Sequence, residues 1–503
     1  ADCKSHSPYL TPRLMPTLAP LWSVVIPACL SLVSAGALRT QRARLSQRPS
    51  VRAIQLLHLP DTPPATKFDV LIVGGGSAGV SIAAMLRARA PQLRLGLVEP
   101  SDSHSYQPAW SLVGANAFHV DDSIRPMASV LPPGVHWIQQ SVRTFDPENN
   151  TVYLESEGDT EKSLQYERLV VCPGLELDWG SVDGLAEAMG RNGVTSNYAY
   201  AGCQYTAELV RSMPQGSRAL FTQPAGQIKC AGAPQKAMYL SAFDWESRGI
   251  LRSMEVGFFT AAPALFGVQA YVPTLESYVE RYGIDIHFEH TLIRVDGAKQ
   301  IATFTGPDGT DIEMEFDMLH VVPQMRAVKC VRDSPLADES GYVEVIFNTL
   351  RHTRYPNVWG AGDTINAPNA KTGAAVRKQV PVVVHNLLQD VHAASIADGP
   401  AHRTVALYDG YGACPVLVEK GKAMLAEFGW GGQLLPSFPK WLIDGTQASP
   451  LAWMFITGLL PPFYWHVLVP GRTFLDPLSW PKIVTVDEYK QMKPVGAVQG
   501  GCV

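Results

Sequence analysis

The chain has 503 residues, 46% of them hydrophobic and 17% charged, which is enough for two or three domains with sizeable cores. A formal net charge of −5 provides no strongly basic surface, so we expect no nucleic-acid partner. Eight scattered cysteines without a CxxC pair indicate neither a zinc site nor a dense disulfide scaffold, and we predict no metal site.

The first 66 residues differ in composition from the rest of the chain. No Asp or Glu occurs between Asp2 and Asp61, whereas five arginines fall between positions 39 and 52. An Arg-rich, Ser-containing and acid-free segment is typical of a transit peptide, so residues 1–66 are predicted to be a targeting leader. A membrane anchor is the alternative, because the uncharged run 14–38 is long enough to span a bilayer.

A strand, a helix and a second strand are predicted directly after the leader. Residues 67–73 form an apolar run, residues 77–90 are rich in Ala and Leu, and residues 93–98 are again largely apolar. Between the first strand and the helix lies GGGSAG (74–79). A glycine pattern in this context is typical of the βαβ unit that binds a dinucleotide.

The glycines of this turn have separate roles. Gly74 permits the tight turn, Gly76 lets a pyrophosphate approach the backbone, and Gly79 lets the helix pack closely on the strand. The N-terminus of the helix faces the phosphate charge. Glu99 lies twenty residues after Gly79, the spacing at which a carboxylate binds a ribose hydroxyl.

Strands dominate the next predicted elements. Residues 135–156 alternate as strands around a turn, and residues 168–174 form a buried strand. Farther along, NVWGAGDT (357–364) is predicted to be a strand that ends in a glycine turn, with Asp363 at its tip. The following stretch, 371–391, is predicted to be helical.

A second α/β unit begins at RALFTQP (218–224), but no glycine triplet follows its strand. A nicotinamide needs its own pyrophosphate cradle, so NAD(P)H is not expected to be the electron donor. The chain carries KCAGAPQK (229–236) there instead. Because the flanking lysines favour the thiolate of Cys230, this residue is a candidate redox group; the alternative is a buried structural thiol.

The C-terminal region contains an apolar tail, residues 449–480. No charged residue occurs between Asp444 and Arg472, and Pro461–Pro462 leave 451–460 too short to span a bilayer. The aromatic residues of the tail are Trp453, Phe455, Phe463, Tyr464, Trp465, Phe474 and Trp480. Two readings remain open: a hairpin inserted into a membrane surface, or a cap buried on the core or in an oligomer interface.

Seven stretches between residues 68 and 480 carry a family resemblance. They are VEPSDSHSYQPAWSLVGA (98–115), KCAGAPQKAMYLS (229–241), LFGV (265–268), DMLHVVPQM (317–325), YPNVWGAGD (355–363), YDGYGACP (408–415) and AEFGW (426–430). With these motifs the chain resembles the eukaryotic, mitochondrial-type sulfide:quinone oxidoreductases, a family of the two-dinucleotide-domain flavoproteins.

The resemblance implies an α/β fold with two Rossmann-like domains and a C-terminal amphipathic, membrane-binding segment. The implied division of the chain is as follows: leader 1–66, first part of the FAD-binding domain 67–182, second Rossmann-like domain without a nicotinamide fingerprint 183–335, return of the FAD-binding domain 336–400, and cysteine-bearing, membrane-anchoring region 401–503.

The same resemblance implies a mechanism. Cys230 and Cys414 would form a redox-active pair, bridged through sulfur beside FAD. Hydrogen sulfide would attack the bridge on the Cys414 side and leave a persulfide there, and the electrons would pass through FAD to ubiquinone. A small thiol or sulfite would then remove the sulfane sulfur. The protein would be attached peripherally to the mitochondrial inner membrane through residues 449–480.

Residue by residue, Glu99 would bind the adenosine ribose, Val142 the adenine and Gln107 the flavin region. Tyr411 and Phe428 are candidate quinone contacts, for which the alternative is a place in the core. The full set of implied cofactor-binding residues is Gly74, Gly75, Gly76, Gly79, Glu99, Gln107, Val142, Gly174, Lys236, Gly362, Asp363, Lys371 and Thr372.

Two other functions fit part of the pattern. A type II NADH:quinone oxidoreductase shares the fold, the flavin and the membrane segment, but it needs a second nucleotide fingerprint and has no use for the cysteine pair. A non-catalytic flavoprotein subunit of a membrane complex is the other alternative. The intact cysteines argue against it.

Overall fold

The computed structural model describes residues 66–156, 162–395 and 403–492. Nearly all of the predicted leader and the alternative anchor at 14–38 lie outside these residues. The predicted domain boundaries remain predictions.

A seven-stranded sheet forms the centre of the first domain. Lys67–Val73 pairs in parallel with Leu95–Val98 on one side and with Lys162–Val171 on the other. Strands of a parallel sheet are covered on both faces, which explains the nearly unbroken apolar run in the first strand. The remaining strands of this sheet are Val135–Ile138, Val142–Asp146, Thr151–Leu154 and Val358–Gly360.

Ser77–Arg89 is the helix that follows the glycine turn, and we call it the nucleotide helix. Its residues from Ala78 to Leu86 are all buried, because the long helix Gly373–Ser395 packs against it. Small residues such as Ala83 and Ala84 allow this close packing. The predicted strand–helix–strand order is therefore confirmed.

A five-stranded parallel sheet forms the second domain. Its strands are, in spatial order, Val194–Thr195, Met318–His320, Arg218–Gln223, Glu255–Thr260 and Asp285–Phe288. An antiparallel sheet follows, made of Thr291–Asp296, Ile301–Thr305 and Asp311–Glu315. The fold class predicted from the sequence, α/β with two Rossmann-like domains, is confirmed.

The chain then returns to the first sheet. Val358–Gly360 pairs in parallel with Lys162–Val171, so the turn that contains Asp363 lies at the same edge of the sheet as the glycine turn. Shorter strand pairs complete the fold: Ser103–Ser105 with Ile124–Pro126, Leu175–Asp178 with Gln324–Ala327, Thr404–Leu407 with Lys482–Thr485, and Gly412–Glu419 with Lys422–Phe428.

The remaining helices surround these sheets. They are Trp110–Gly114, Met127–Val130, Leu185–Ala188, Tyr200–Ser212, Ala233–Ser247, Val272–Tyr282, Lys329–Arg332, Pro450–Met454, Leu460–Phe463 and Val486–Gln491.

The tail differs from its prediction in one respect. Pro461 and Pro462 do not divide it, because helical residues run continuously from Pro450 to Leu468. Proline lacks the N–H that bonds to the preceding turn of a helix, and a wider π-type turn, Phe455–Leu459, lies directly before the two prolines in this run. By length and apolar composition alone, this 19-residue run could cross a membrane.

Candidate active site

The two predicted redox cysteines lie together although 184 residues separate them in the chain, with their Sγ atoms 3.0 Å apart. Cys230 lies on the loop before helix Ala233–Ser247, and Cys414 lies on strand Gly412–Glu419. Neither is bonded in a disulfide. The loop approaches closely because Gly232 has no side chain: a Cβ there would be 2.7 Å from Cys414 Sγ. The Gly232 N–H donates to the same sulfur over 3.0 Å.

Charge distinguishes the two thiols. Lys236 Nζ donates to Cys230 Sγ over 3.3 Å. The hydrogen bond from Cys414 and the charge of Lys236 lower the pKa of Cys230, against the effect of burial. The hydrogen bond to Cys230 and burial raise the pKa of Cys414. When both are reduced, these opposite shifts favour the thiolate on Cys230 over the thiolate on Cys414.

Backbone bonds hold Cys230 in a conformation that non-glycine residues rarely adopt, with φ at +48°. Its N–H donates to the Lys371 carbonyl over 2.8 Å, and its carbonyl accepts from Ala233 N over 2.7 Å. The Tyr198 hydroxyl donates to the carbonyl of Lys229 over 2.8 Å. The bond to Lys371 ties the cysteine loop to the return segment of the first domain, and the bond from Tyr198 ties it to the second domain.

The glycine turn has the shape that a pyrophosphate requires. Gly74 has φ at +104°, and a Cβ at Gly79 would lie 1.9 Å from the Gly74 carbonyl oxygen. Among the described residues, nothing lies within 4 Å of a Cβ built on Gly76, and no side chain caps the nucleotide helix there. The N–H groups at the start of this helix are thus open to an anion.

Glu99 lies beside this turn, and its Oε2 accepts from Gly75 N over 2.7 Å. Val142 begins the strand Val142–Asp146 and is buried. Gly174 has φ at +80° and lies just after the buried strand Lys162–Val171. The residues present therefore fit the adenosine diphosphate part of FAD.

A partly buried charge cluster of Lys229, Asp363 and Lys371 lies between the glycine turn and the cysteines. Burial raises the pKa of Asp363, and the nearby charges of Lys229 and Lys371 oppose that rise. Lys371 is almost fully buried, which lowers its pKa to about 8. The predicted residue Gln107 reaches the cluster, accepting from Lys229 Nζ over 3.5 Å.

Two further predicted residues organise the backbone beside this cluster. Gly362 has φ at +76°, and its N–H donates to Gln379 Oε1 over 2.7 Å. Thr372 Oγ1 accepts from Ala375 N over 3.2 Å at the start of helix Gly373–Ser395. Two of the predicted cofactor-binding residues contact Cys230 directly: Lys371 through its carbonyl and Lys236 through its Nζ atom.

Tyr411 and Phe428 lie on the hairpin that carries Cys414 and are both buried. The Tyr411 hydroxyl donates to Glu427 Oε1 over 2.6 Å, and Phe428 packs edge-on against Phe266. Sequence patterns missed the buried carboxylate of Glu427, because an acidic residue in an apolar strand has no motif of its own.

His104 and Tyr464 were missed as well. His104 Nε2 lies 2.7 Å from the Tyr464 hydroxyl, and His104 Nδ1 lies 3.0 Å from the Gly75 carbonyl. His104 falls within a motif quoted above, but pairing with a residue 360 positions away leaves no sequence signal. Among the described residues, no group of three His, Cys, Asp or Glu side chains could hold a metal ion.

Known proteins are similar to this chain over most of its length. Residues 68–202 match the family model described as pyridine nucleotide-disulphide oxidoreductase. The mitochondrial sulfide:quinone oxidoreductase of Dictyostelium discoideum is 37% identical over 421 residues, which cover 82% of this chain and 90% of that protein. Its namesake in Mus musculus is 34% identical, covering 80% and 87%.

A solved structure shares the fold. The sulfide:quinone oxidoreductase from Aquifex aeolicus matches with a TM-score of 0.67 and 19% identity, covering 87% of this chain and 100% of that chain. Three observations point to the same family. They are the fold, the fit of the glycine turn to FAD, and the 37% identity that extends over 90% of the Dictyostelium protein. The chain belongs to the family of mitochondrial sulfide:quinone oxidoreductases, which are FAD-containing enzymes.

Proposed function

We propose that this protein oxidises hydrogen sulfide through the Cys230–Cys414 pair, with FAD as cofactor and ubiquinone as electron acceptor. The observation that carries the proposal is the 3.0 Å approach of the two sulfur atoms next to the charge cluster of the candidate flavin site. FAD, when bound, supplies the two-electron acceptor that reduces the quinone.

In the oxidised protein, one bridging sulfur atom joins the cysteines as Cys230–S–S–S–Cys414. Hydrosulfide attacks the Cys414 sulfur, so one S–S bond forms and one breaks. The products are Cys414–S–SH and the persulfide anion Cys230–S–S⁻. Lys236 stabilises this leaving group, because its ammonium lies 3.3 Å from Cys230 Sγ.

A small thiolate RS⁻, or sulfite in its place, then takes the outer sulfur of Cys414–S–SH. This step yields RS–SH and the Cys414 thiolate. The thiolate and Cys230–S–S⁻ rejoin as the bridge and give up two electrons, for which bound FAD would be the acceptor. The cycle converts one hydrosulfide and one thiolate into one persulfide, and it restores the bridge.

The tail (449–480) attaches the protein peripherally to the mitochondrial inner membrane. Several of its large apolar side chains are exposed, including Met454 at 64%, Phe474 at 71% and Trp480 at 60%. Aromatic residues of this kind favour the interface between water and lipid. Ubiquinone is lipid-soluble, so this surface also gives it a route to the site.

An anaerobic sulfide titration of the detergent-purified protein tests the proposal. We expect sulfide to bleach the flavin absorbance and a short-chain ubiquinone to restore it. Bleaching by NADH but not by sulfide would instead favour a type II NADH:quinone oxidoreductase. An unchanged flavin absorbance with both sulfide and NADH would favour a non-catalytic subunit.

The cysteine assignment needs its own test. Cys230→Ser and Cys414→Ser should abolish sulfide turnover while FAD stays bound. Cys330→Ser is the matched control, because Cys330 is a free cysteine of the short helix Lys329–Arg332 and takes no part in the proposed chemistry. Full sulfide turnover in either variant of the pair would contradict the mechanism.

A further inference from the structure

The tail runs along the nucleotide helix from one end to the other. The Tyr464 hydroxyl lies 2.7 Å from Oγ of Ser77, the first residue of that helix. A Cβ at Gly471 would lie 2.8 Å from Met85 N, near its middle. Arg89, its last residue, donates to Thr473 Oγ1 over 3.5 Å.

Tyr464 also reaches the glycine turn through His104, which is 3% exposed. The Gly75 carbonyl can only accept, so His104 Nδ1 carries a proton and donates to it over 3.0 Å. Burial lowers the pKa of His104, which favours the neutral ring. Nε2 then accepts from the Tyr464 hydroxyl, whose oxygen accepts in turn from Ser77 Oγ.

Packing reinforces these bonds. Trp465, next to Tyr464, is 6% exposed and lies under the guanidinium of Arg125, 4.1 Å from the ring centroid. Farther along the tail, Asp476 forms a buried ion pair with Arg377 of the long helix Gly373–Ser395. The opposite face of the tail presents the exposed side chains of Met454, Phe474 and Trp480.

We propose that Tyr464 is a positioning residue that clamps the pyrophosphate turn Gly75–Ser77, so that membrane attachment of the tail and retention of FAD stabilise each other. The reason is thermodynamic linkage: whatever orders the tail on the nucleotide helix also orders the turn, and the coupling is reciprocal. The proposed role of Tyr464 depends on the FAD site of the proposed function, and its coupling to the membrane depends on the proposed attachment of the tail.

The first test is the rate at which FAD leaves the detergent-solubilised protein, followed by the rise of flavin fluorescence after dilution. Tyr464→Phe removes one hydroxyl that joins two hydrogen bonds, so we expect FAD to leave about tenfold faster. Tyr282→Phe is the matched control, because it deletes a buried hydroxyl bonded to the Val418 carbonyl over 2.9 Å, far along the chain from the turn. Equal rates in both variants would overturn the clamp.

The second test adds vesicles of phosphatidylcholine and cardiolipin to the detergent-free protein. We expect vesicles to slow FAD loss at least threefold in the unchanged protein and to have little effect in Tyr464→Phe. A purely structural defect would leave the vesicle effect intact. Equal slowing in both proteins would therefore overturn the coupling.

The tests of Tyr464 can fail independently of the tests of the proposed function. Sedimentation with vesicles reports membrane attachment directly, and sulfide bleaching reports the cysteine chemistry. Normal FAD loss in Tyr464→Phe together with normal bleaching would overturn only the clamp. Rapid FAD loss in that variant without bleaching of the unchanged protein would support the clamp and contradict the sulfide proposal.

Discussion

Gly232 leaves the space that the Cys414 sulfur occupies, because a Cβ at this position would lie 2.7 Å from it. Gly232→Ala should push the two sulfur atoms apart and reduce the rate of flavin bleaching by sulfide at least about tenfold, since misplaced reacting atoms lose rate steeply. FAD content should stay unchanged. Stopped-flow absorbance measures the rate, and Gly180→Ala serves as the control because its Cβ would meet only Asp178 at 3.6 Å.

Lys236 is one of the groups that lower the pKa of Cys230, beside the hydrogen bond from Cys414. Because its charge lowers the pKa of that thiol, Lys236→Met should raise the pKa and reduce the thiolate fraction at neutral pH. Alkylation of the reduced protein by iodoacetamide should become about tenfold slower at pH 7 and recover at higher pH. Lys329→Met, at an exposed lysine, is the control. An unchanged pH profile of alkylation would contradict this role.

At the scale of elements, the hairpin that carries Cys414 contains a buried carboxylate. Glu427 accepts from the Tyr411 hydroxyl over 2.6 Å and from Ser437 N over 2.9 Å. Glu427→Ala would remove the acceptor of Ser437 N and leave the Tyr411 hydroxyl only its longer 3.4 Å contact with Ser437 Oγ, so the free energy of unfolding should fall by about 3 kcal/mol. Urea unfolding followed by intrinsic fluorescence measures it, with exposed Glu280→Ala as the control. A change below about 1 kcal/mol would contradict the structural role.

The second sheet gives a further prediction at this scale. Strand Arg218–Gln223 is followed by the cysteine loop, where a nicotinamide-binding protein needs a glycine turn. NADH should therefore leave the flavin oxidised under anaerobic conditions, which visible absorbance can check. Bleaching by NADH at a rate similar to that with sulfide would contradict the assignment.

The elements also explain which parts of the site the sequence could predict. The glycine turn and Glu99 are local features of a βαβ unit, so spacing alone indicated them, and the strands Lys67–Val73 and Leu95–Val98 confirm that unit. The approach of Cys230 to Cys414 depends on the packing of a loop against a distant hairpin, which spacing cannot encode. Only the family resemblance suggested it.

The tail shows the same limit for the molecule as a whole. Its apolar, aromatic composition was visible in the sequence, but the continuous helical run through Pro461 and Pro462 was not, because π-type turns have no simple residue signature. The contact of Tyr464 with His104 and Ser77 joins three separated segments. Its partners could only be found in the folded chain.

The proposed membrane attachment concerns the whole molecule, and the proposal assigns it to the tail. Phe474→Ser removes an apolar side chain that is 71% exposed, so binding to phosphatidylcholine–cardiolipin vesicles should weaken about tenfold. Vesicle sedimentation measures the change. Phe288→Ser, at an exposed phenylalanine of the second sheet, is the control and should leave binding unchanged. Equal loss in both variants would contradict the role of the tail.

The separation of the two cysteines by 184 residues also bears on how the protein is made. During synthesis the glycine turn and Cys230 emerge long before the hairpin that carries Cys414, so a growing chain contains the nucleotide fold without its sulfur chemistry. The thiol pair comes into being only when the last quarter of the polypeptide folds back onto the second sheet. On the proposed mechanism, a fragment that ends before this hairpin lacks one of the two reacting sulfur atoms and should not oxidise sulfide.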